Sequence, residues 1–198
     1  MGKTSFAQQK RTFLSKQDKS KKGSIDEKIL GVVKVINSQE DYYTTSSCSG
    51  RVVIWRDGKK NEGSWVKVSH DFIEESFFSL SSLDSELLWL RVEPTIIHVC
   101  CKDLHAAVKL LDMVKPLYKK SSLISIKNKV MAEIKGSELI VMPLYDRGEL
   151  LFPDVGLLAR IVNMKMKEIF GKIENTEGIV KMGEIEKNRR GQKLEKEI

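Results

Sequence analysis

Nothing in this chain of 198 residues stays apolar for the roughly 18 residues that a membrane-crossing helix requires. The first residues are charged and lack the apolar stretch of a secretory leader, so a soluble, cytoplasmic protein without membrane association is expected. Cysteine is scarce, with Cys48, Cys100 and Cys101 alone. Two of these are adjacent, and neighbours along a strand point to opposite faces, so no disulfide framework is expected. No C-x-x-C pair occurs, and His70, His98 and His105 keep no ligand spacing with the cysteines, so no metal is expected. No G-x-G-x-x-G turn follows a first strand, which removes the Rossmann cofactor fingerprint.

What is present suits a globular fold. Hydrophobic residues make up 41% of the chain, enough to bury a core in one domain. The net charge of +7 is concentrated at the start, where residues 1–28 hold eight Lys or Arg against three acidic residues. Such a face attracts a phosphate backbone by releasing counterions, although solvated lysine-rich surfaces are as common.

Periodicity predicts grouped strands with helices around them. Residues 4–16 read as a helix with Phe6, Phe13 and Leu14 on one side. A second helix follows an S-x-x-E capping box at Ser24 and Glu27, with Ile25, Ile29, Val32, Val33 and Ile36 along one face and its end at Asn37. Strands are expected at 42–45, 51–56 and 64–69, with Asp57-Gly58 as a hairpin turn, and a short helix at 72–78. Further strands at 87–92 and 95–101 break at Glu93-Pro94. Asp103 caps a helix whose apolar side is Leu104, Ala107, Val108, Leu111 and Val114. Three more strands, at 123–127, 130–135 and 139–143, precede a long C-terminal helix from Val155 with Leu158, Val162, Met166, Ile169 and Ile173 at helical spacing. The expected fold class is a mixed α/β (α+β) single domain over residues 1–180. Residues 181–198 are expected to form a charged helical extension or a disordered tail.

One segment is written like a site. Between two strand-like runs, Ser46, Ser47, Cys48, Ser49, Gly50 and Arg51 combine short donors and acceptors with a flexible backbone position. Arg51 adds a fixed cation suited to phosphate or carboxylate. A polar hairpin loop has much the same composition.

Three blocks in order carry a resemblance. Asp18 to Glu27 reads D-K-S-K-K-G-S-I-D-E, Ile36-Asn37 follows, and Thr44 to Arg51 reads T-T-S-S-C-S-G-R. The third, Leu88 to Val99, reads L-W-L-R-V-E-P-T-I-I-H-V. Together they resemble the wybutosine-synthesizing protein 3 family, its archaeal members above all, from about Phe6 to near Ile173.

That resemblance implies an S-adenosylmethionine-dependent methyltransferase acting on the tricyclic guanosine derivative at position 37, in the anticodon loop of phenylalanine tRNA, to give an N4-methylated wyosine-type base. Methyl transfer is an in-line displacement, so positioning outranks acid and base chemistry. A proton must still leave the ring nitrogen, for which Asp18, Glu93, His98 and His70 are candidates. Ser46, Ser47, Cys48, Ser49, Gly50 and Arg51 are implied cofactor contacts. Lys19, Lys21, Lys22, His70 and Arg91 are the implied RNA contacts, with Tyr43 and Trp65 stacking on an extruded base. Trp89 lies in an apolar run, where a core role is the commoner one, and His98 among aliphatic neighbours reads more often as a hydrogen-bonded core residue than as a catalyst. A noncatalytic RNA-binding module that presents the modified loop to partner enzymes is the alternative.

Overall fold

The structure, a computed structural model, describes residues 5–16, 25–56, 65–80 and 87–194, with side chains to residue 180. In chain order the elements are α1 (Phe6–Leu14), α2 (Leu30–Ser38), β1 (Tyr42–Cys48), β2 (Arg51–Arg56), β3 (Trp65–Ser69), β4 (Leu88–Glu93) and β5 (Ile96–Cys101). They continue with α3 (Leu104–Val114), β6 (Ser122–Ser125), β7 (Val130–Lys135), β8 (Ile140–Asp146), β9 (Glu149–Leu150) and α4 (Val155–Leu194). Short 3-10 turns occupy Glu27–Ile29 and Glu75–Phe78. The mixed α/β class is the one expected. The chain forms two compact units, one of Met1–Cys48, Ile96–Gly136 and Lys172–Ile198, the other of Ser49–Thr95 and Ser137–Gly171.

The first unit holds a four-stranded antiparallel sheet in the order β1-β5-β7-β6. Alternation along β5 and β7 sends Ile97, Val99, Ala132 and Ile134 into the core, while His98 and Glu133 take the other, half-buried face. Helix α1 starts at Ser5, whose side chain accepts from the Gln8 amide at 3.3 Å. Its Phe6 and Phe13 rings lie 5.5 and 5.2 Å from the ring of Tyr43. Helix α2 buries Val32, Val33 and Ile36, and Ile29 of the preceding turn is buried too. The capping box expected at its start involves Ser24. Asp26 stands at the head of the 3-10 turn without a side-chain cap, and Ser24 lies outside the described residues. Helix α3 is capped by Asp103, which accepts from the Ala106 amide at 2.8 Å. Its buried stripe is Ala106, Ala107, Leu110, Leu111 and Val114. Leu104 and Val108, expected inside, are exposed, because the stripe is centred on the 107, 110, 111, 114 spacing.

The second unit holds a five-stranded antiparallel sheet in the order β3-β2-β4-β8-β9. One face buries Val52, Ile54, Leu88, Leu90 and Val92. Leu158, Val162 and Met166 of α4 are buried in this unit. Asn163 brackets one backbone position, accepting from the Ile73 amide at 2.9 Å and donating to its carbonyl at 2.8 Å. The Tyr145 hydroxyl donates to the Phe78 carbonyl. β9 was not expected. It forms because Arg147 and Gly148 take positive φ values of 49° and 84° and turn the chain back on β8. Helix α4 runs on through Leu194, so the extension is helical over residues 181–194. No helix among the described residues is long and apolar enough to cross a membrane.

Candidate functional site

Strand register places three polar side chains of the first unit in one row. Ser46 on β1 stands opposite His98 on β5, which stands opposite Glu133 on β7. Paired residues share a face, so the three side chains meet. Ser46 Oγ lies 2.8 Å from His98 Nδ1, and His98 Nε2 lies 3.1 Å from Glu133 Oε2. A carboxylate only accepts, so Nε2 carries the proton, and Nδ1 of the neutral ring accepts from the Ser46 hydroxyl. Lys135 stands 4.0 Å from the other Glu133 oxygen, and His98 and Glu133 are half-buried.

Local structure explains why Ser46 is aimed at His98. The β1–β5 register shifts between Thr44 and Ser46, and such a bulge re-aims the residues beyond it. The Thr44 amide donates to Asn37 Oδ1 at 2.7 Å, and Asn37 Nδ2 reaches Thr44 Oγ1 at 3.0 Å. Asn37, at the end of α2, therefore pins the bulge. The expected turn over 46–51 is corrected here: Ser46, Ser47 and Cys48 belong to β1, and Ser49 and Gly50 alone separate it from β2.

In the second unit, the face of the sheet opposite its core carries a continuous ladder. Arg51 stacks over Trp65 at 4.2 Å from the ring centroid, and its Nε donates to Glu93 Oε2 at 2.6 Å. The other Glu93 oxygen accepts from an Arg91 terminal nitrogen at 3.3 Å, and Arg91 stacks over Trp55 at 4.8 Å. Trp89 is directly opposite Trp55 on β4. Glu93 is thus clasped by two guanidinium groups. Its side chain is 26% exposed, so this network is partly screened by water.

The remaining sequence-selected residues are dispersed. Ser49 is buried, and its carbonyl accepts from Thr95 Oγ1 at 3.1 Å. Gly50 holds a φ of 106°, and a Cβ there would stand 2.8 Å from Ile169 Cγ2 and 3.1 Å from the Glu93 carbonyl oxygen. Ser47, Cys48 and His70 are half-buried. Tyr43 is fully buried; its hydroxyl accepts from Lys129 Nζ at 3.1 Å, and burial first, then the Cys100 thiol, raises its pKa well above the usual tyrosine value. Asp18, Lys19, Lys21, Lys22 and the Asp57-Gly58 turn lie outside the described residues. Sequence reading missed Glu133 and Trp55. Glu133 alternates with the buried Ala132 and Ile134 and so lay on the readable polar face of its strand, but only the register pairs it with His98.

Comparison with known proteins identifies the family. The family model described as Methyltransferase TYW3 matches residues 8–181. A Thermococcus sibiricus protein named tRNA(Phe) 7-((3-amino-3-carboxypropyl)-4-demethylwyosine(37)-N(4))-methyltransferase is 34% identical over 181 residues, which cover 85% of this chain and 91% of that protein. The tRNA wybutosine-synthesizing protein 3 homolog of Danio rerio is 34% identical over 182 residues, 86% of this chain and 72% of that one. The solved structure of the PH1069 protein from Pyrococcus horikoshii superposes with a TM-score of 0.74 at 30% identity, covering 82% of this chain and 86% of that one. A hypothetical protein from Aeropyrum pernix shares the fold, with a TM-score of 0.67 at 23% identity over 80% of this chain and 98% of that one.

Proposed function

This chain belongs to the TYW3 methyltransferase family, and on that premise we propose that it is the tRNA methyltransferase of wybutosine synthesis that methylates N4 of 7-(3-amino-3-carboxypropyl)-4-demethylwyosine at position 37 of tRNA(Phe). The observation that carries the proposal is a family match over residues 8–181 together with the named archaeal relative at 34% identity. S-adenosylmethionine is the proposed donor; when bound, it supplies an electrophilic methyl carbon on a sulfonium. The residues present fit such a group. Arg51 keeps its terminal amino groups for the methionine carboxylate, since its bond to Glu93 uses Nε. Ser46, Ser47, Cys48, Ser49 and Gly50 complete the proposed cofactor segment.

The proton released from N4 needs an acceptor. In the first unit His98 is suited to receive it, because Glu133 holds the ring as the Nε2–H tautomer and leaves Nδ1 as the basic atom beside Ser46. The proton passes to Nδ1, directly or through the Ser46 hydroxyl, and the Glu133 carboxylate stabilises the imidazolium that results. In the second unit Glu93 is held between two arginines, a setting that favours an ion-pairing role. Lys19, Lys21, Lys22, His70 and Arg91 are the proposed tRNA contacts, and the cytoplasm, where tRNA is modified, is the proposed compartment.

A single-turnover assay with labelled S-adenosylmethionine tests the reading on tRNA(Phe) bearing the unmethylated tricyclic base, against unmodified tRNA. Label on the tricyclic base alone is the expected result. Saturable tRNA binding without transfer and without cofactor binding would replace the enzyme with an RNA-binding module.

A further inference from the structure

All three tryptophans of the chain stand in one row of one sheet. Trp65 pairs with Trp55, and Trp55 with Trp89, which in turn faces Pro143 on β8. The neighbouring positions on this face are Arg51, Arg91 and Glu93, interleaved as Trp65, Arg51, Glu93, Arg91 and Trp55. The flanks of the face are exposed: Trp65 is 52% accessible and Val141 44%. Trp55 Nε1, Trp89 Nε1 and Arg91 Nε have no hydrogen-bond partner among the described residues.

Most of the apolar core of this sheet lies on its other face; on this one Val53, opposite Arg91, is buried beneath the ladder. Indole rings give flat stacking surfaces, and guanidinium groups fixed by stacking and by Glu93 present flat cations at defined heights. Two arginines against one glutamate leave the ladder net positive, which complements a polyanion. Unpaired nucleobases joined by phosphates match both properties, whereas a base-paired duplex hides its base faces. We propose that this face of the second unit is a stacking platform for unpaired bases of single-stranded RNA. Arg91 contacts an adjoining phosphate, and Trp65 carries the outermost base. The inference rests on the tRNA methyltransferase reading and extends it, since it assigns where loop nucleotides flanking the target are held.

The tryptophans report on their own surface. The full chain is titrated with a single-stranded RNA of about eight nucleotides, a length within the footprint of such surfaces, and followed by tryptophan fluorescence and by anisotropy of the labelled RNA. Saturable quenching is expected with S-adenosylmethionine present throughout, and much weaker quenching with a duplex of equal length. Trp65→Ala, a change at an exposed position, should raise the Kd about tenfold, while Trp65→Phe, which keeps a stacking ring, should stay within about twofold. Three results would overturn the platform: RNA binding with silent tryptophans, an unchanged Kd for Trp65→Ala, or no binding of single-stranded RNA. The methyl-transfer assay run in parallel separates the two readings. Transfer with silent tryptophans removes the platform alone; quenching by RNA without transfer keeps the platform and removes the methyltransferase.

Discussion

His98 sits between a hydroxyl and a carboxylate, and what it can do depends on which nitrogen carries the proton. Glu133 sets that choice by accepting from Nε2, and it also stabilises the imidazolium once a proton arrives. Glu133→Gln keeps an acceptor but removes the charge, so single-turnover transfer should slow about tenfold with tRNA affinity nearly unchanged. His98→Asn should cost about 100-fold or more, the usual range for a lost general base. Wild-type rates for both variants would mean that the proton leaves by another route. Arg51 makes a different kind of contact. Arg51→Ala should weaken S-adenosylmethionine binding by about 1.5 to 3 kcal/mol, the loss expected for a charged hydrogen bond, measured by calorimetry; an unchanged Kd would leave Arg51 to the tryptophan ladder alone. His98 and Arg51 were legible in the sequence because they sit in order-specific motifs. Glu133 and Trp55 were not, because a residue on a strand acquires its partners from register, and register is a property of two segments together.

Elements hold these residues at two fixed points of the backbone. At the first, Asn37 ends α2 and binds both the amide and the hydroxyl of Thr44, just before the β1 bulge. Asn37→Ala leaves the amide of a buried residue without its acceptor, which should cost about 1 to 3 kcal/mol by urea unfolding. Transfer should slow as well, because Ser46 loses its fixed aim at His98; full stability and full rate together would show that the bulge needs no pin. At the second, Gly50 combines a φ of 106° with a Cβ direction blocked by Ile169. Gly50→Ala should destabilise by about 1 to 3 kcal/mol from backbone strain, with the steric clash in addition. In an Ile169→Ala background the penalty should shrink but persist, since φ remains; its disappearance would assign the whole effect to crowding. Most elements could be read in advance, because alternation and helical spacing reflect burial. Boundaries failed where tertiary contacts decide. Ser46 to Cys48 resemble a turn by composition, yet β5 offers them backbone partners and draws them into β1. Leu104 and Val108 look apolar but fall outside the stripe that the helix presents to its core.

At the scale of the molecule, the two units differ in how burial treats their acidic hydroxyl and thiol groups. In the first unit burial, helped by the Cys100 thiol and by Asp103, pushes the Cys101 thiol up to about 12 from an ordinary 9.0. Tyr42 and Tyr43 rise well above their ordinary 10.0, burial being the largest cause for each. In the second unit Tyr145 alone rises among the described tyrosines and cysteines, again through burial. A group whose folded value lies above its unfolded one holds its proton more tightly in the fold. Its stabilisation is complete below the unfolded value and is lost as pH climbs toward the folded value. The loss should therefore begin near pH 9 and deepen through the tyrosine range, and three of the four groups place it in the first unit. The tryptophans all belong to the second unit, so their fluorescence follows that unit, whereas far-ultraviolet dichroism follows both. Between about pH 8 and about pH 11, the urea midpoint should fall further by dichroism than by fluorescence. Equal falls would mean that the units unfold as one cooperative body despite their unequal burden of buried hydroxyls and thiols.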